Sequence, residues 1–173
     1  MLADLLRMTY DYNAWANAHI FDAAAQLNDE QLNAPGDAGH GSIRGTLFHM
    51  LNAHKGWFSW FDGSFDPANP RGDWPDLDAY PDIASLRAYW DELDAQTTRF
   101  LAGLTDEDAE QPKAEQPSDP QFPLWQYMLH VANHGTQHRS EVAAMLTAHG
   151  YSPGGIDMIF YMEEKAQAAQ GGA

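Results

Sequence analysis

A chain of 173 residues with 44% hydrophobic content suffices for one domain whose core needs no staple. Its formal charge of −16, with only 9 Lys and Arg in total, argues against nucleic acid as a partner, because phosphate-backbone binders concentrate basic side chains. No apolar run is long enough to span a bilayer, and the start MLADLLRMTYDYNAW has no basic head, continuous apolar segment or small-residue cleavage site, so the expectation is a cytoplasmic protein with no membrane partner.

Leu2 to Leu27 is helical in pattern, with Leu2, Leu6, Ile20, Ala24 and Leu27 on one face and Asp4, Arg7, Asp11 and Asp22 opposite. At about 100° per residue, Thr9, Asn13 and Asn17 fall inside the apolar face. Amides there either pair across a helix interface or form a polar pocket wall. His19 lies on the flank and reads as surface. Asn33 to Gly41, NAPGDAGHG, holds one Pro and three Gly and reads as a loop. Ser42 then caps a second helix running to about Phe61, apolar nearly all round and therefore buried. Within it His49 is in line with Ala53, Gly56 and Trp60. Small residues beside a His leave room for an ion and for something bound to it, whereas a stripe that only packs a core is usually filled with Leu. His54 points about 140° away from His49 and cannot comfortably share its ion.

Asp62 to Pro81, with four Pro and two Gly beside Phe65, Trp74 and Tyr80, is a long crossover rather than a strand pair. A third helix spans about Ile83 to Leu104, turning Leu86, Trp90, Leu93, Thr97, Phe100, Leu101 and Leu104 inward. Gln111 to Pro123 carries four Pro and is a second irregular crossover with extended backbone. The longest helix follows from Leu124 to about Ala148, where Gly150 suits a C′ cap. Ser152 and Pro153 then open a short docking helix that bears Ile156, Ile159, Phe160 and Met162, and QAAQGGA should fray. The prediction is an all-α four-helix bundle in one domain, residues 1–173, with long crossover connections and a short C-terminal docking helix.

Within Leu124 to Leu146, LWQYMLHVANHGTQHRSEVAAML, the residues His130, His134 and His138 recur every four positions. Random placement of eight His gives such a triple in about 0.02 of chains this long. The three form one stripe drifting about 40° per step, and Tyr127, Val131, Val142 and Met145 on the same stripe turn it inward. Adjacent imidazoles, roughly 6 Å apart, can share an ion at about 2.0–2.1 Å, but His130 and His138 are about 12 Å apart and cannot. The pair is therefore either His130/His134 or His134/His138, and another helix supplies the third ligand, for which His49 is the candidate. With no Cys in the chain, a metal must be held by His, Asp or Glu.

Four segments carry a family resemblance: YDYNAWAN (Tyr10 to Asn17), GTLFHMLNAHKGWF (Gly45 to Phe58), HVANHGTQHRSEV (His130 to Val142) and GYSPGGIDMIFYMEE (Gly150 to Glu164). Together, over nearly the whole chain, they resemble the DinB-like family of bacterial metal-binding four-helix bundles. The resemblance implies that His49, His134 and His138 hold the ion, with His130 left as a pocket residue. Ser140 stands where the family pattern often has Gly. It also implies an unusual helix connectivity, a tendency to homodimerise, and, for members with an assigned activity, transfer or isomerisation with low-molecular-weight thiols.

Three neutral imidazoles leave a divalent ion its full charge and an open position, as in catalytic sites. Such a site suits zinc or nickel first, and iron or manganese by supply. It can acidify a bound water toward pKa ~7 or ionise a thiol. Glu141, three residues beyond His138, is the candidate to receive an imidazole N–H or to act as a catalytic base. Asn13, Asn17, Trp60, Tyr127 and His130 are candidates for a small-molecule substrate pocket. The readings in contention are a metal-dependent thiol transferase, a metal-dependent hydrolase, and a non-catalytic metal-binding stress protein.

Overall fold

The computed structural model describes residues 1–36, 38–69, 74–113 and 120–171. Along it run α1 (Leu2–Ala24), α2 (Asp29–Asn33), α3 (Ile43–Phe61), α4 (Ile83–Gly103), α5 (Asp106–Glu110), α6 (Leu124–Ala148) and α7 (Met158–Gly171). Two-residue strands β1 (Pro112–Lys113) and β2 (Phe122–Pro123) pair antiparallel, Pro112 opposite Pro123. This pairing pins the two ends of the second crossover together; residues 114–119 of that crossover and 70–73 of the first lie outside the described residues.

The four long helices form the predicted all-α bundle. α6 packs on α1 and α3, and α4 packs on the same two. Consecutive helices α1 and α3 thus stand across a diagonal, as do α4 and α6. Each diagonal step must pass over an end of the bundle, so the chain uses connections far longer than a hairpin needs. The same arrangement sets α3 beside α6, which brings His49 to the later histidines.

Apolar burial falls into two clusters. Ile20 and Phe21 of α1, Leu47 and Leu51 of α3, Leu86 and Trp90 of α4, and Val142 and Leu146 of α6 belong to one. Leu6 and Tyr10, Phe58 and Phe61, Leu101, and Met128 and Val131 from the same four helices belong to the other. Each fully buried Leu, Val or Phe contributes about 1.5–3 kcal/mol. Between the clusters every long helix turns a polar residue inward: Asn13 and Asn17 from α1, His54 from α3, Thr97 from α4, and His138 and Arg139 from α6, all buried. The bundle is therefore apolar at both ends and polar across its middle.

Part of that middle layer pairs internally. Thr97 Oγ1 donates to the Leu93 carbonyl (2.9 Å) and lies 2.7 Å from His54 Nε2. With the hydroxyl proton committed to the carbonyl, His54 Nε2–H must be the donor to Thr97. The ring also stacks on Phe58 at 4.4 Å. Tyr10 donates its hydroxyl to the Met128 carbonyl (2.9 Å), tying α1 to α6.

Local signals explain where the structure departs from the sequence reading. Two one-turn helices were not anticipated, yet both open on capping boxes: Asn28 with Gln31 for α2 and Thr105 with Asp108 for α5. The docking helix begins at Met158, not at Ser152 and Pro153. Gly154 at φ +78° breaks the helical path, and the Ile156 carbonyl is taken by the Tyr12 hydroxyl at 2.9 Å. Asp157 Oδ1 then accepts the Ile159 N–H. The tail expected to fray is helical through Gly171, and residues 172–173 lie outside the described residues.

Burial pushes the His54 pKa from 6.5 down to about 3. Between these values the unfolded chain binds a proton that the folded chain refuses. Stability therefore rises with pH across that window, by about 1.4 kcal/mol per unit for one such group, and His54 adds no slope above it. Urea midpoints measured from pH 4.5 to 6.5 should climb, and His54→Gln should remove about one proton's share of the slope.

Candidate metal centre

Drift along α6 orders its three histidines by depth. His138 is buried, His134 half-buried and His130 exposed, as a stripe advancing about 40° per step requires. Gly135 keeps this part of the helix open for Arg139, since a Cβ at that position would lie 3.0 Å from Arg139 Nη1. Arg139 is only 1% exposed. Its guanidinium donates to Asn17 Oδ1 (3.2 Å) and Thr136 Oγ1 (2.9 Å) and lies 5.6 Å from the centre of the Tyr12 ring. Burial draws its pKa below the ordinary arginine value.

The geometry of the imidazoles is specific. His134 Nε2 lies 3.3 Å from His49 Nε2 and 3.1 Å from His138 Nε2. Two nitrogens bound to one tetrahedral ion at 2.0–2.1 Å are separated by about 3.3 Å, so both spacings match an edge of that polyhedron. His138 Nδ1 lies 2.7 Å from Glu141 Oε2. An ionised carboxylate only accepts, so Nδ1 carries a proton and Nε2 is the nitrogen turned toward His134. Gln137 Nε2 donates to the second oxygen at 3.3 Å. Burial works against ionisation of Glu141, but the bonds from His138 and Gln137 outweigh it and hold its carboxyl below the usual range. Glu141 thus occupies the orienting position behind a ligand.

Burial, helped by the neighbouring rings, lowers the pKa of His49 to about 4 and lowers that of His134 as well. Near neutral pH both are uncharged, with lone pairs for a cation. The set fits a divalent ion: His134 Nε2 is at tetrahedral-edge distance from the Nε2 atoms of His49 and His138, and Glu141 holds the His138 ring from behind.

A fourth imidazole, His40, is an addition that helical periodicity could not find. It sits in the loop before α3 between Gly39 (φ +65°) and Gly41 (φ +81°), conformations open to glycine at little cost. Its N–H donates to Thr46 Oγ1 at 2.9 Å, and that hydroxyl donates to the Ser42 carbonyl at 2.7 Å. The His40 ring stacks on His49 with centroids 3.6 Å apart and planes 19° apart. Nitrogens of His40, His49 and His138 all lie within 4.8 Å of one another and form a three-His group able to hold a metal. His134 has the better claim to the inner set, because its nitrogen is at tetrahedral-edge distance from two others while His40 is exposed. A His flanked by two glycines just before a helix cap was the available sequence signal.

The other candidates distribute around this cluster. A cavity of about 820 Å³ opens beside His40 and His49 and is lined along α3 by Asn52, Ala53, Gly56 and Trp60. Tyr127 packs edge-on to Trp60 at 4.9 Å, behind the cavity wall. His130 stands edge-on to Trp57, 5.3 Å between centroids. Asn13 and Asn17 are not on this cavity but on a small void shared with His134 and Arg139, where Asn13 Oδ1 is buried with no hydrogen-bond partner among the described residues. A separate cavity of about 430 Å³ between α1, α4 and α7, lined by Asp11, Asp94 and Glu164, contains none of the imidazoles.

A sequence model of the DinB family matches residues 1–170. The chain belongs to the DinB family. It is also similar to Protein DinB of Bacillus subtilis (strain 168), 26% identical over 170 residues that cover 93% of this chain and 95% of that relative. Among the described residues no helix is long and apolar enough to cross a membrane.

Metal affinity measured by chelator competition should rank the ligands. His134→Ala should abolish tight binding and His40→Ala should weaken it less. Glu141→Gln, which removes the carboxylate behind His138, should cost about 10–100-fold.

Proposed function

We propose that this DinB-family chain is a divalent-metal enzyme, a transferase acting with low-molecular-weight thiols, in which His49, His134 and His138 hold the ion. One observation carries the reading: His134 Nε2 lies at tetrahedral-edge spacing from both His49 Nε2 and His138 Nε2, and the cluster stands beside a cavity of about 820 Å³. A closed structural site has four protein ligands and no need of a chamber. A cation held there would supply Lewis acidity, lowering the pKa of a thiol brought to it. Zinc or nickel suits the all-nitrogen set best, with iron or manganese as alternatives.

The chain's own groups divide the remaining work. His49, His134 and His138 bind; Glu141 fixes the tautomer and orientation of His138; the cavity walls hold a small molecule and exclude water. The same ion could acidify a bound water, and what favours transfer over hydrolysis is the family resemblance. Homodimerisation in the cytoplasm is proposed alongside, with exposed Leu5, Ile159 and Phe160 as apolar surface on which copies can meet.

The test is a turnover screen of the metal-loaded protein against thiol conjugation and against ester and amide hydrolysis, with His134→Ala as blank. The expected result is turnover that requires a thiol and vanishes in the variant. Turnover with water alone would replace the transferase by a hydrolase, and no turnover with any substrate would leave a metal-binding protein without catalysis.

A further inference from the structure

The cavity beside His49 has a polar end and an apolar body. His40 and His49 form the polar end. The body lies between two walls of different origin. One is the α3 stripe of Ala53, Gly56 and Trp60, flanked by Trp57; the other is Phe65, Trp74 and Leu77 from the crossover after α3. Trp74 lies against the stripe so closely that a Cβ at residue 56 would be 2.7 Å from its Cζ2 and 2.9 Å from its Cη2. The absence of a side chain at Gly56 is what admits the indole. Trp74 nonetheless remains 43% exposed, a large apolar ring left at the rim.

We infer that the compound acted on at the imidazole cluster carries a flat apolar group of one or two rings, which enters the cavity alongside the Trp74 indole, with Ala53 and Phe65 among its other walls. Aromatic walls meet flat rings by offset or edge contact. A chamber of this volume falls in the range that encloses small molecules through apolar walls and a few placed polar groups. The position of the ligating head rests on the function proposed above, whereas the apolar body rests on the cavity alone. Ala53, one turn beyond His49, lies on the α3 wall of the cavity, so a larger side chain there narrows the apolar body and removes none of the imidazoles.

Cobalt-loaded protein should be titrated with 2-naphthalenethiol, 2-mercaptoethanol and 2-naphthalenemethanol, following cobalt absorption and Trp fluorescence, in wild type and in Ala53→Leu of verified metal content. The expected result is that naphthalenethiol binds at least about tenfold more tightly than mercaptoethanol. Ala53→Leu should erase that advantage while keeping its cobalt. If neither thiol changes the cobalt spectrum but naphthalenemethanol quenches wild type and not Ala53→Leu, the apolar group stands and the thiol reading falls. Equal affinity for the two thiols, or no binding of any naphthyl compound to wild type, overturns the inference.

Discussion

Two imidazoles from different helices can face one point only if the helices carrying them are neighbours at the right height. Here the contact between α3 and α6 meets both conditions. The diagonal order of the bundle makes α6 the neighbour of α3, and the apolar clusters above and below fix the axial register. His49 and His134 then meet at 3.3 Å. A slip of one residue along either helix is about 1.5 Å of rise and 100° of rotation, which would turn the rings away from each other.

The polar layer between the clusters costs stability and confers placement. Desolvating Asn13, His54 or Arg139 without full compensation costs about 1–3 kcal/mol for each missing partner, and Asn13 Oδ1 lacks one among the described residues. Arg139 is the extreme case, a fully buried cation satisfied by an amide, a hydroxyl and an aromatic face instead of a carboxylate. Thermodynamically such a layer is inferior to an all-apolar core. Its effect is to make other helix registers worse still, because any shift would move these groups against Leu and Phe. A scaffold that must hold several nitrogens to within a few tenths of an ångström gains from that intolerance.

What could be read from the sequence follows from how each feature is encoded. The long helices and the inward positions of Leu86, Trp90, Leu93 and Thr97 are periodic, so their placement was legible, as was the His49, Ala53, Gly56, Trp60 stripe that lines the cavity. The burial of Asn13 and Asn17 was legible too, but not that they serve the void beneath His134 instead of the main cavity. Helical projection gives a direction and no partner. His130 shares a stripe with half-buried His134 and buried His138 and is nonetheless exposed, because accumulated drift carries it off the bundle axis. His40 was invisible to periodicity, since its position depends on two glycines and a hydrogen bond to Thr46. The start of α7 was misplaced because Ser and Pro are weak entry signals when Gly154 follows them.

The two walls of the large cavity answer to different constraints. The α3 side belongs to a helix that also packs the core through Leu47, Leu51 and Phe58, so its path is set by the bundle. Trp74 and Phe65 come from the connection after α3 and are not among the residues of either apolar cluster. Substitutions there can reshape the chamber while the nitrogens stay where they are, which allows relatives sharing this scaffold to diverge in what they accept before they diverge in how they hold an ion.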